Sequence, residues 1–230
     1  MNTTLIFYCI IGILISEYVL ATTLNFLNAK RFKDTVPDEL SDIYNSEEYQ
    51  KAQDYKLTNY RFGILTSTFS ILLILGVLIF GGFGWIDNFV SGLTDHNILQ
   101  SLLFFGVIMI GSDLLNTPFS YYRTFVIEEK FGFNKTTMKT FITDKIKGWF
   151  MIIVLGGGIL FLVLWFVEWA GPYFWLLTWG LITVFTIFTN LFYSKLIVPL
   201  FNKQEPLEDG NLKSKIESYT KNVGFELQNI

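Results

Sequence analysis

Three stretches of this chain contain no Asp, Glu, Lys or Arg: Phe62 to Ile86 over 25 residues, Gly148 to Val167 over 20, and Ala170 to Ser194 over 25. At helical rise, each is long enough to cross the ~30 Å of hydrocarbon in a bilayer. Two further runs are broken once each, Asn2 to Ala29 by Glu17 and Asn97 to Tyr122 by Asp113, and both remain long enough to span. The expected fold is therefore an all-α polytopic membrane protein with five transmembrane helices, near residues 4–27, 62–84, 97–119, 149–168 and 172–195. Composition agrees, because 51% hydrophobic and 18% aromatic residues exceed what an ordinary soluble domain carries. Membrane lipid is the first partner this implies. The net charge of −3 gives no basis for nucleic-acid binding.

Charge placement sets an expected orientation. Of the 17 Lys and Arg, six fall between Lys30 and Arg61, six between Arg123 and Lys147, and five from Lys195 onward. The N-terminus, the segment from Gly82 to Asn97 and the turn from Glu168 to Pro172 have none. Cytoplasmic loops collect Lys and Arg, so the N-terminus is expected outside and the C-terminus in the cytoplasm. Trp85, Trp149, Trp169 and Tyr193 stand near span ends, where interfacial aromatics gather. The first run has no basic residue before its apolar part and is too long for a signal core, so it stays on the protein. Cys9 is the single cysteine, which excludes a disulfide framework and reads as a small packing residue. Compact loops and the absence of an organelle signal point to a bacterial inner membrane rather than the endoplasmic reticulum.

The polar segments also carry helical signals. Pro37, followed by Asp38 and Glu39, suits a first helical turn. Ser46 is the expected cap of a second helix that continues into the second span, with Glu47 four residues before Lys51. In "FVIEEKFGFNKTTMKTFITDKIKGWF", Asn134 is the expected cap, and Met138, Phe141, Ile142, Ile146 and Trp149 recur at helical spacing. Near the end, Leu212, Ile216, Tyr219 and Val223 share one face of an amphipathic helix stopped at Gly224. Nothing in the rest of this tail covers that face. Residues 1–200 are thus expected to form a five-span membrane domain, and 201–230 to begin a cytoplasmic domain that is cut short.

Three groups of segments carry a family resemblance: "DTVPDEL" with "YQKAQDYKLTNYRFG", "YYRTFVIEEKFGFNKTT" with "TFITDKIKG", and "VPLFNKQEPLEDGNLKSKIESYTKNVGFELQNI". In these the chain resembles the type I CAAX prenyl endopeptidases, integral-membrane zinc metalloproteases. The resemblance runs over essentially the whole chain. It implies an endopeptidase that removes the C-terminal tripeptide from prenylated or other membrane-associated proteins. It also implies a zinc ion held by two His of an H-E-x-x-H helix and a later Glu, with the motif Glu activating the metal-bound water. That motif is absent here. The one histidine, His96 in "TDHNIL", reads as a helix-start residue, and no zinc is expected on this chain. By resemblance the chain is an N-terminal membrane region lacking its C-terminal protease domain, inactive alone. The alternative is a non-enzymatic scaffold that binds a partner protease domain or a prenylated tail.

The polar insert offers no acid/base pair of its own. Glu128 and Glu129 point about 100° apart on a helix, and with Arg123, Lys130 and Lys135 nearby they read as local ion pairs. The insert is expected to be a cytoplasmic brace between the third and fourth spans. Intramembrane polar residues are the stronger functional lead: Glu17, Asp113, Asn116 and Asn190 sit where such groups must face water, protein or one another. The family encloses a hydrated chamber, and by resemblance these four are candidate lining residues. Protonated, interhelically bonded carboxyls at Glu17 and Asp113 are the other reading. Pro118 is expected to kink or end the third span, and Gly156, Gly157 and Gly158 to permit close packing or a bend.

Overall fold

The chain is described here by a computed structural model covering residues 2–32, 35–36, 45–203, 205–225 and 227. The described residues are helical or irregular, with no strand among them. They divide into two compact units, Met1–Ile142 with Ile152–Phe161, and Thr143–Met151 with Leu162–Ile230.

In the first unit, α1 (Thr3–Ala29) opens with Asn2 accepting a hydrogen bond from the Thr4 amide. Helix α2 (Ser46–Ile79) begins one residue earlier in its capping than expected: Asn45, not Ser46, supplies the side-chain oxygen, accepting from the Glu47 amide at 3.0 Å. Both residue types cap well, and Asn wins by standing before the first helical residue. The helix then runs unbroken into the second span. It ends at Ile79 rather than near residue 84, because Gly81 adopts a left-handed conformation at φ +71° and stops the coil. The short helix expected at Pro37 lies outside the described residues.

A short helix α3 (Gly82–Ser91) follows, where the sequence suggested only a loop; its Val90 is 2% exposed. Helix α4 (Asn97–Tyr122) starts after His96, which is exposed and makes no side-chain cap. Pro118 does not end it. Thr117 donates to the Asp113 carbonyl at 2.7 Å and Ser120 to the Asn116 carbonyl at 3.2 Å, so hydroxyls on both sides of the proline are satisfied within the helix. The coil widens to a π-helical segment at Arg123–Glu128, then closes with α5 (Glu129–Phe131) and Gly132 at φ +80°.

Helix α2 is the middle element of this unit. On one side Tyr18 and Thr68 share a 2.7 Å hydrogen bond and the Phe32 and Tyr60 rings meet edge to face, so α1 and α2 run antiparallel. On the other, Phe62 stacks on Tyr122 and Phe69 packs against Phe119, which sets α4 antiparallel to α2 as well.

Where the sequence suggested a brace between the third and fourth spans, the contacts of the insert's first half tie it to α2. Tyr55 donates to Glu128 Oε1 at 2.8 Å, and its ring meets Phe131 and Phe133 edge to face at 5.1 and 5.0 Å. Arg123 lies 3.7 Å from the same Glu128 oxygen. Glu129 pairs not with a lysine but with the Asn134 amide, at 2.8 Å. Asn134 does not cap the next helix. It accepts from the Thr136 amide at 2.7 Å, and Thr137 takes the capping role by accepting from the Thr140 amide. Gly132→Val should destabilise this turn by about 2 kcal/mol, since a β-branched residue is strained at positive φ. Chemical unfolding of the purified chain in detergent checks it.

Helix α6 (Met138–Met151) places Phe141 against Tyr121 and Phe125 within the first unit, while Met138, Ile142 and Ile146 remain exposed. The glycine run stands between a π-helical segment, Ile152–Gly156, and α7 (Gly157–Ala170). A Cβ built at Gly156, Gly157 or Gly158 meets nothing within 4 Å, so close packing is not what these glycines provide within the described residues.

The second unit contains a turn at Gly171–Tyr173, α8 (Phe174–Phe192), a π-helical segment at Tyr193–Ile197, α9 (Val198–Phe201) and α10 (Asn211–Asn222). Lys147 donates to the Leu200 carbonyl at 2.7 Å and sits over the Phe201 ring, tying α6 to the end of the last span. Helix α10 stops just before Gly224, φ +69°, and Leu212, Tyr219 and the following Val223 are exposed. Asp209, hydrogen-bonded to Lys213 at 2.7 Å, has its carboxyl pKa lowered by that contact.

Among the described residues four helical stretches are long and apolar enough to cross a membrane, where the sequence suggested five spans: Thr3–Ala29, Ser46–Ile79, Asn97–Phe131 and Met138–Phe201. The last is 64 residues of nearly continuous coil. Its residues amount to about 96 Å of helix at 1.5 Å each, some three hydrocarbon thicknesses and enough for more than one crossing. Gly171 at φ +51° interrupts it between the two sequence spans.

Candidate functional site

Asp113, Asn116 and Ser120 on α4 and Arg123 just beyond it follow one another at intervals of three, four and three, the spacing that puts side chains on one helical face. On α2, Asn59, Gly63 and Thr66 do the same. The two stripes meet across a cavity of about 300 Å³ lined by Asn59, Gly63, Thr66, Asn116, Ser120 and Arg123, with Phe62 and Phe119 as its apolar walls. A second cavity of about 490 Å³ adjoins it, with Thr22, Asn25 and Asn28 of α1 facing Lys56, Asn59, Gly63 and Ser67 of α2. Asn59, Gly63 and Arg123 border both. Together they form a polar trough along one side of the α1–α2–α4 layer.

The hydrogen bonds within the trough leave acceptors open. Asn116 Nδ2 donates to the Ser112 carbonyl at 2.9 Å, and Asn59 Nδ2 donates to the Tyr55 carbonyl at 3.1 Å. Each amide group thus spends a donor on its own helix, while its Oδ1 has no partner among the described residues. Arg123 and Lys56 contribute the positive charge. Such a wall holds water and can accept hydrogen bonds from a peptide.

Of the four residues suggested by the sequence, the structure brings Asn116 to this wall and places half-buried Asp113 on the same stripe, one turn deeper in the span. Glu17 is exposed on α1 and makes no hydrogen bond or ion pair among the described residues. Asn190 is exposed on α8, in the other unit, and donates to the Thr186 carbonyl at 2.8 Å. Cys9 is exposed on α1, not packed inside it as its residue type suggested. Sequence reasoning missed Asn25, Asn59, Gly63 and Arg123, although the i, i+3/i+4, i+7 spacing of polar residues on α2 and α4 was there to be read.

Among the described residues no three His, Cys, Asp or Glu stand close enough to share a metal ion. The donor set of this part of the chain does not fit a catalytic zinc, which needs three protein ligands and an open position.

An α-helical membrane protein whose spans carry a polar wall is the class that this fold and site define. The family model for the CAAX prenyl protease N-terminal region, with five membrane helices, matches residues 25–203, and the chain belongs to that family. It is 33% identical over 229 residues to a CAAX prenyl protease 1 homolog of Arabidopsis thaliana, covering 96% of this chain and 54% of the relative. Against CAAX prenyl protease 1 of Saccharomyces cerevisiae it is 32% identical over 231 residues, covering 95% and 51%. The crystal structure of S. mikatae Ste24p superposes with a TM-score of 0.88 at 32% identity, covering 96% of this chain and 52% of that one. The chain spans about half the length of the curated relatives it matches.

Proposed function

We propose that this chain is the membrane-embedded N-terminal region of a zinc metalloendopeptidase of the CAAX prenyl type, and that its polar trough is part of the wall past which substrate reaches a metal centre built from other residues. The complete enzyme removes the C-terminal tripeptide from prenylated or other membrane-associated proteins. Its zinc and its activating glutamate belong to a C-terminal protease domain. This chain supplies the bilayer anchor, the hydrated wall and the brace around Tyr55 and Glu128 on which that domain rests.

One observation carries the reading: the matching α2 and α4 stripes, in a chain that belongs to this family, meet with open amide oxygens at Asn116, inside a span that would otherwise be apolar, and at Asn59, just before another. We place the N-terminus outside and the basic loops in the cytoplasm on the distribution of Lys and Arg. The relatives named above are eukaryotic, so the expectation of a bacterial inner membrane gains no support from them. Asp113→Leu with Asn116→Leu, introduced into a complete protease carrying this N-terminal region, should lower kcat/KM on a farnesylated peptide about tenfold, the scale of one lost wall interaction. Unchanged activity and stability would remove the trough from the substrate path.

A further inference from the structure

On the opposite side of the α2–α4 seam from the trough lies a third cavity, of about 610 Å³. Its floor is apolar, formed by residues that include Phe62, Leu65, Phe119 and Ile127. Its rim is not, because Arg61 and Lys130 both border it, joined by the Thr58 hydroxyl. Among the described residues neither cation has a carboxylate partner; Lys130 only lies over the Phe131 ring at 5.4 Å. Among the described residues no acidic side chain lines the space. Leu65 and Tyr122 are 59% and 48% exposed, so the groove opens sideways, away from the protein.

Position in the chain decides what can enter. Arg61 immediately precedes the uncharged run that starts at Phe62, so the rim stands where the hydrocarbon begins and the floor continues down the span. A soluble anion would meet the cations but leave the apolar floor empty, and a neutral lipid would fill the floor but leave two cations unpaired. We propose that this groove is a binding site for an anionic glycerophospholipid, with the phosphate between Arg61 and Lys130, the Thr58 hydroxyl donating to it, and one acyl chain along Leu65 and Phe119. Basic pockets between spans near a membrane surface suit such headgroups. The site needs only the integral-membrane fold and does not depend on the protease reading.

Native mass spectrometry of the purified chain, titrated in detergent with palmitoyl-oleoyl phosphatidylglycerol or the phosphatidylcholine of the same acyl chains, tests it. Wild type should bind the anionic lipid at least tenfold more tightly. Arg61→Gln with Lys130→Gln should weaken that binding about thirtyfold, the effect of two surface cations, while Arg61→Lys with Lys130→Arg should stay within about threefold of wild type. Lys215→Gln with Lys221→Gln, on α10, should change nothing. Equal binding of the two lipids, undiminished phosphatidylglycerol binding by the neutral pair, or displacement of the lipid by millimolar inorganic phosphate would each overturn the site. If the neutral pair does not fold, the wild-type preference between the two lipids decides.

Discussion

Tyr55→Ala should destabilise the chain by about 3 kcal/mol. The ring touches both Phe131 and Phe133, and the hydroxyl donates to Glu128, so one side chain joins α2 to the π-helical segment and to the turn that follows. Full truncation of a buried aromatic costs 3–5 kcal/mol; Tyr55 is half-buried, which lowers the packing loss, and the lost bond to a carboxylate restores part of it. Tyr55→Phe separates the two contributions. It keeps both ring contacts, loses only the hydroxyl, and should cost about 1 kcal/mol, with Arg123 left to hold Glu128. Denaturant unfolding in a fixed detergent measures both. If Tyr55→Ala matched Tyr55→Phe, the aromatic contacts would contribute nothing and the brace would reduce to a hydrogen bond.

The second large effect is on activity rather than stability. Gly63 borders both trough cavities, and a Cβ there meets nothing within 4 Å. Gly63→Ala should therefore be tolerated and can gain up to about 1 kcal/mol from better helix propensity. Gly63→Phe should fill the place where the two cavities adjoin. In a complete protease with this N-terminal region, kcat/KM on a farnesylated peptide should fall by at least about a hundredfold, while the melting temperature stays close to that of the alanine variant. A trough that only packs against other protein would give the reverse pattern, with lost stability and little selective loss of turnover. The pair of substitutions thus reads the function of the space without touching any charged or hydrogen-bonding group.

The helices were legible because a bilayer leaves few ways to bury twenty uncharged residues, and α1, α2 and α4 stand where those runs placed them. Their ends were less so. The stop at Gly81 depends on a backbone conformation that the apolar run beyond it concealed, and Asn45 and Ser46 compete for one cap on nearly equal terms. The π-helical turn at Arg123–Glu128 has no local signature at all. It accompanies the burial of Ile127 and Phe131 and the reach of Tyr55 to Glu128 from 73 residues away. The trough was half visible. Asp113 and Asn116 stood out as single costly residues within an apolar run, whereas Asn59 sits just before a run, on a helix read only as leading into the span, and Arg123 just after one, read only as an ion-pair partner. Reading each polar residue by its own desolvation cost hid the fact that two helices present matched stripes. Glu17 and Asn190 show the converse: an intramembrane polar group signals a need for a partner without saying which helix supplies it.

The most direct measurement takes the 230-residue chain alone, purified in detergent, and asks for bound zinc by elemental analysis and for cleavage of a farnesylated CAAX peptide. The account predicts substoichiometric zinc and no cleavage, with both restored when the H-E-x-x-H domain of a complete relative is joined after the last residue. One zinc per chain together with peptide cleavage by these residues unaided would contradict it.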